Sequence, residues 1–135
     1  CPAGWHIPSD DEWQILLNQA GGNLMAGTML KEKGLKHWIS PNSGAETASQ
    51  HWDHTNPVVG DMRGARNKTG FTALPGGYRL GNGFFLGLGA YGIWWSTTEG
   101  TPNSALRRTM YYNFSDVRRY ASKKQYGASV RCLKD

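Results

Sequence analysis

Two cysteines stand almost at the ends of this chain, Cys1 at the first position and Cys132 three residues from the last, with no other cysteine between them. Any fold that joins them must bring its C-terminal segment back beside its first residue. A bond between them would staple Cys1 to the last strand. In the chain-entropy account a loop of ~100 residues or more stabilises by roughly 4–5 kcal/mol when closed, less any native strain. It would also place the protein in an oxidising, extracytoplasmic compartment, at a cell surface or secreted. Two other readings of the pair stay open, buried unpaired thiols in a reducing compartment or a lipid-modified Cys1. No signal peptide is visible, and a chain opening bluntly on Cys1 reads as an excised domain.

Between these ends, 135 residues suffice for one core, so one domain over 1–135 is expected. The most apolar stretch, Gly83 to Trp95, is broken by Gly83, Gly87, Gly89 and Gly92. It is also shorter than the roughly 20 residues of a spanning helix, so no direct membrane span is expected. Eight of the eighteen glycines lie between Gly70 and Gly92, which argues for turns and close backbone approach rather than long helices. Charge is uneven. From Asn103 onward eight Lys and Arg face two Asp, whereas the first 102 residues carry seven basic against eight acidic side chains. The basic residues alternate with Tyr, Met and Val as on strands and form no run, so no nucleic-acid partner is expected.

A helix is expected over Asp10–Gln19. Ser9 and Glu12 have capping-box spacing, Asp10 and Asp11 add charge where the helix dipole favours it, and Trp13, Leu16, Leu17 and Ala20 recur on one face. Gly21-Gly22 ends it. A shorter helix is expected over Leu24–Lys33, followed by a long irregular region over Leu35–Lys68 in which no period survives. After Gly70 short strands are expected at Phe71–Leu74, Tyr78–Leu80, Phe84–Leu86, Ile93–Thr97, Ala105–Tyr112, Val117–Tyr120 and Ala128–Leu133. Gly81-Asn82-Gly83 is the tight hairpin turn. Helices first and an antiparallel meander afterwards make the class α+β.

Four phrases in this order carry a resemblance: Cys1-Pro-Ala-Gly-Trp-His-Ile-Pro-Ser9 with Glu12-Trp13, Ala73-Leu-Pro-Gly-Gly-Tyr-Arg79, Gly92-Ile-Trp-Trp-Ser-Thr-Thr-Glu99, and Tyr126-Gly-Ala-Ser-Val-Arg-Cys-Leu-Lys-Asp135. Together they resemble the Fibrobacter succinogenes major paralogous domain, a module of exported and surface lipoproteins in Bacteroidetes-type bacteria. The resemblance spans the chain except the Leu35–Lys68 region. It implies a C-type lectin-like fold, related to formylglycine-generating enzymes and to the variable proteins of diversity-generating retroelements. In that fold two early helices accompany a twisted antiparallel sheet with long irregular loops, and the chain ends meet in one sheet. It implies no particular ligand.

Catalysis finds little support. Formylglycine-generating enzymes work through reactive cysteines, whereas Cys1 and Cys132 are better explained as a structural bridge; no nucleophile-elbow pattern is present. The expectation is a non-enzyme without cofactor. His51, Asp53 and His54 share one loop and could ligate a transition metal, but a solvated loop explains them as well. Thr101-Pro102-Asn103 lacks the acidic residue of a lectin calcium motif, and no Trp-Asn-Asp follows. Trp94 and Trp95 are expected to be largely buried rather than a sugar platform, and Arg79 and Arg131 to be structural partners.

The most informative stretch is Asn103–Tyr126. Tyrosine offers rigid amphipathic area at low entropic cost, arginine offers a planar fork, and binding surfaces are enriched in both. Leu106, Arg107, Thr109, Tyr111, Tyr112, Arg118 and Tyr120 are therefore the expected contact residues, exposed on two adjacent strands, for a protein or glycan ligand at a cell surface. Diversified positions of the variable proteins lie in this same part of that fold. On this reading, alanine at Arg107, Tyr111 and Arg118 abolishes binding and leaves the thermal midpoint nearly unchanged. An ordinary solvated sheet face remains the alternative.

Overall fold

The first helix forms where the capping box places it. The computed structural model describes residues 1–34, 36–39 and 67–135. In it, Ser9 Oγ accepts from Glu12 N (3.2 Å), the Glu12 carboxylate accepts from Ser9 N (2.8 Å), and α1 runs Asp10–Gln19. Trp13 and Leu17 bury the apolar face. α2, Asn23–Leu30, stops three residues earlier than expected because Lys31 turns extended and pairs with Ala73. Lys31 is fully buried. Its Nζ donates to the carbonyls of Tyr111 (2.5 Å) and Phe114 (2.6 Å) and lies 5.0 Å from the Trp38 ring centroid. Burial pushes its ammonium down to about 7, against the pull of Asp116. At Gly27 a Cβ would lie 2.6 Å from the Ser115 carbonyl, so only glycine lets α2 approach this closely.

A two-residue strand, β1 at Trp5–His6, precedes the helices. After them come β2 (Gly76–Arg79), β3 (Phe85–Leu88), β4 (Tyr91–Thr101), β5 (Ser104–Tyr111), β6 (Val117–Lys123) and β7 (Leu133–Lys134). Five form one sheet in the order β3-β2-β4-β5-β6, and β1 pairs with β7 in a separate two-stranded piece. The α+β class stands, but three expectations are corrected. The sheet is mixed, because β2 meets β4 in parallel through Gly77 and Gly92. Phe71–Leu74 is no strand: Thr72 adopts φ 53° and its N donates to Asn67 Oδ1 (2.7 Å), which leaves one bridge at Ala73. The expected strand Ala128–Leu133 shrinks to β7, because Gly127 and Ser129 are drawn off to bridge Arg79 and Trp94.

The sheet separates two apolar clusters. On the helix side Trp13, Leu17, Leu30, Trp38, Trp94, Met110 and Val117 pack together; on the other lie Ala90, Tyr91, Ile93 and Tyr111, with Tyr78, Phe114 and Tyr120 against them. Trp94 is buried as expected, whereas Trp95 is only half-buried. Arg131 stacks 4.5 Å over the Phe71 ring and donates to its carbonyl (2.8 Å).

The termini close through Cys1–Cys132, whose Cα atoms are 5.7 Å apart. Beside this bond His6 Nδ1 lies 2.5 Å from Asp135 Oδ1, and its Nε2 lies 2.9 Å from Glu12 Oε1. Asp135 and then Glu12 raise the His6 pKa above 6.5; the Ser9 backbone amide and then His6 hold Glu12 at about 2. A raised histidine value contributes stability that is complete below its unfolded pKa and lost as pH rises through the folded one. A depressed glutamate contributes stability present above 4.5 and lost as pH falls through about 2. The His6 and Glu12 terms are therefore flat between these limits and decline on both sides, while buried Lys31, held at about 7 against 10.5 when unfolded, adds stability as pH rises above about 7. His6→Ala removes only the His6 term, so the deficit of the variant against wild type should be largest near pH 5 and shrink as pH rises to about 9, read as the difference in urea midpoints; a deficit that does not change with pH would contradict the pairing.

Candidate functional site

Alternation along β5 sorts its side chains. Arg108 and Met110 face the helices, whereas Arg107, Thr109 and Tyr111 line a cleft of about 290 Å³ on the opposite side. The register sets Tyr120 opposite Arg107 and Arg118 opposite Thr109. On the other flank β4 sets Tyr91 opposite Tyr111 and Ile93 opposite Thr109. Tyr78, Leu80, Ala121, Ser122, Lys123 and Tyr126 complete the wall, and Arg118 and Tyr120 stand beside it on the same face.

The rings form a continuous aromatic surface. Centroids are 6.2 Å apart for Tyr78–Tyr91, 5.3 Å for Tyr91–Tyr111 and 5.8 Å for Tyr111–Phe114, the last two edge-to-face. Tyr111 Oη donates to Tyr120 Oη (3.4 Å). Burial pushes the Tyr111 and Tyr78 hydroxyls up, so both stay neutral near pH 7. Arg118 caps the surface, 4.6 Å from the Phe114 centroid and 5.3 Å from that of Tyr111, with Nε donating to Asp116 Oδ2 (2.7 Å). Burial opposes the Arg118 charge, and the Asp116 and Tyr120 contacts more than offset it. Arg107 lies 5.5 Å from the Tyr120 centroid, and burial pushes its guanidinium down from its ordinary value. Such a cleft can hold a ligand by ring stacking and charge-assisted hydrogen bonds.

Of the seven expected contact residues, the fold brings Arg107, Thr109, Tyr111, Arg118 and Tyr120 to one face. Leu106 falls on the opposite face of β5 by alternation, and its carbonyl accepts from Ser96 Oγ (3.0 Å). Tyr112 lies just past β5 and packs against both clusters. Their expected exposure is corrected, since Arg107 and Tyr111 are 7% exposed and Thr109 1%. Alanine at Arg107, Tyr111 and Arg118 would therefore open a cavity and lower the thermal midpoint, contrary to the sequence expectation. Tyr78, Tyr91 and Tyr126 were not expected in the site. The two-residue spacing of Tyr91 and Ile93, had the strand been extended back to Tyr91, is the signal that could have found that residue; Tyr78 and Tyr126 arrive through the Arg79–Gly127 bridge, which no local pattern announces.

His51, Asp53 and His54 lie outside the described residues, and Thr101 ends β4, with Pro102-Asn103 forming the exposed turn to β5. Among the described residues no group of three or more His, Cys, Asp or Glu is placed to hold a metal ion. No described helix is long and apolar enough to cross a membrane. Residues 1–134 match the family model described as Fibrobacter succinogenes major domain. No curated protein and no solved structure matches the chain.

Proposed function

The chain belongs to the Fibrobacter succinogenes major domain family, and from that premise we propose that it is an extracytoplasmic recognition module that binds a ligand in the tyrosine–arginine cleft without acting on it chemically. The cleft is the observation that carries the reading. Aromatic rings, a buried guanidinium and a capped, ordered wall converge on one concavity, the arrangement expected of a site with few polar groups fixing orientation. The Cys1–Cys132 bond supports an oxidising location. We further read the two helices, the curled mixed sheet and the joined termini as a C-type lectin-like fold of a surface lipoprotein. The β4–β6 region would then correspond to the part that varies in retroelement-diversified proteins.

The test is a glycan array and a display library of surface proteins probed with the intact domain. Binders are expected to be lost in Tyr126→Ala and Tyr120→Ala, both half-buried positions, and kept in Ile15→Ser on the exposed side of α1. Binders that survive both tyrosine changes would move the site elsewhere. An array without signal above background would favour a spacer domain with no ligand of its own.

A further inference from the structure

The cleft holds polar groups that no protein group satisfies. Arg107 is 7% exposed and its Nε has no hydrogen-bond partner. The groups facing its charge are the hydroxyls of Tyr111, Tyr78, Tyr120 and Tyr126, with no carboxylate among them. Two residues along the same strand face, Thr109 is 1% exposed and its Oγ1 also lacks a partner. Native interiors pair buried cations and satisfy buried hydroxyls, so a guanidinium that rests on a tyrosine ring with its Nε unbonded, beside an unbonded hydroxyl on the same cleft, points to an acceptor supplied from outside. The wall contains a second cation, Lys123, and neither Asp nor Glu. A volume of about 290 Å³ suits one substituted six-membered ring.

We propose that the cleft binds a carboxylate carried on a six-membered ring, with Arg107 as a two-pronged donor, Thr109 Oγ as a second donor and the tyrosine rings as the stacking wall. The proposal rests on the recognition reading above and names its ligand class. The planar fork of the buried guanidinium matches the planar two-oxygen acceptor of a carboxylate, which favours it over a tetrahedral phosphate. The ring can be that of a sugar acid or of an aromatic acid.

The experiment is a titration of the 15N-labelled protein at fixed ionic strength with four probes: sodium glucuronate, glucose, sodium benzoate and benzyl alcohol. The Arg107 Nε–H resonance is expected to shift with at least one carboxylate and not with its neutral counterpart. Glucuronate alone identifies a sugar acid and benzoate alone an aromatic acid; both together identify the shared carboxylate. Arg107→Gln should weaken that carboxylate by about tenfold or more, the loss expected of a charge-assisted bond. If Arg107→Gln fails to fold, Thr109→Val, nearly the same shape, should still weaken it severalfold. Equal shifts from acid and neutral probes would overturn the anion class and leave the recognition reading in place. No shift of the Arg107 resonance with any probe would overturn the inference, and the array experiment then judges the recognition reading by itself.

Discussion

Reduction of the Cys1–Cys132 bond is expected to lower the unfolding free energy by about 5 kcal/mol and the thermal midpoint by roughly 10–20 °C. The bond spans 131 residues in sequence, so it removes conformational freedom from nearly the whole unfolded chain. Little else holds the ends. β1 and β7 exchange only the pairs Trp5–Lys134 and His6–Leu133, helped by the Asp135 amide donating to the Gly4 carbonyl (3.1 Å). A ladder that short does not persist alone in water. Without the sulfur bridge the terminal piece should fray first, and the amides of Trp5 and Asp135 should lose hydrogen-exchange protection while those of β4 and β5 keep theirs. Thermal melts with and without reductant, beside a Cys1→Ser/Cys132→Ser variant, make the measurement. A midpoint shift under about 2 °C would show that the closed loop is not a main source of stability. Because His6 reaches Asp135 only while the ends are joined, reduction should also abolish the alkaline stability decline ascribed to that pair.

What the sequence made legible is what local chemistry decides. The Ser9–Glu12 box, the Trp13–Leu17 stripe, the Gly81-Asn82-Gly83 turn and the β5–β6 pairing each follow from a few adjacent residues, and each is where the pattern puts it. The misses arise where a distant partner overrides a local preference. Thr72 reads as a β-former, yet its bond to Asn67 outweighs that propensity. Lys31 reads as the polar end of a helix; only the fold shows that two carbonyls, one ending β5 and one in the turn after it, draw its ammonium inside. The candidate site shows the same limit. Composition located its tyrosines and arginines, but sheet alternation and curl decided that Arg107, Thr109 and Tyr111 turn into a cleft, and composition carries no curl. Residues that bind inside a concavity look in sequence like residues of an open face.

Asp10→Ala is expected to cost about 3–5 kcal/mol. Asp10 is 6% exposed at the first position of α1; its Oδ1 lies 2.8 Å from Arg108 Nη2, itself on a side chain 1% exposed as a whole residue. Arg108 reaches the Asp10 carbonyl (3.2 Å) and Gln14 Oε1 (3.3 Å) as well, so one guanidinium ties the start of α1 to the middle of the sheet. Burial pushes the Arg108 charge down from its ordinary value and Asp10 pulls it back. Removing the carboxylate therefore leaves a cation out of water with two neutral acceptors, which is what makes the loss large. The outer partner Arg119, 3.2 Å from Oδ2 and mostly exposed, should matter little, and Arg119→Ala should change stability by under about 1 kcal/mol. Arg108→Met alone strands the Asp10 carboxylate and should also destabilise, but Asp10→Ala combined with Arg108→Met removes both charges and leaves an apolar filler. The double variant should accordingly be more stable than Asp10→Ala alone, an inequality that urea denaturation of the four proteins in a double-mutant cycle reads directly. Additive losses would mean that the two groups do not sense each other, and that α1 is held to the sheet by Trp13 packing and the Thr98–Asp10 amide bond instead.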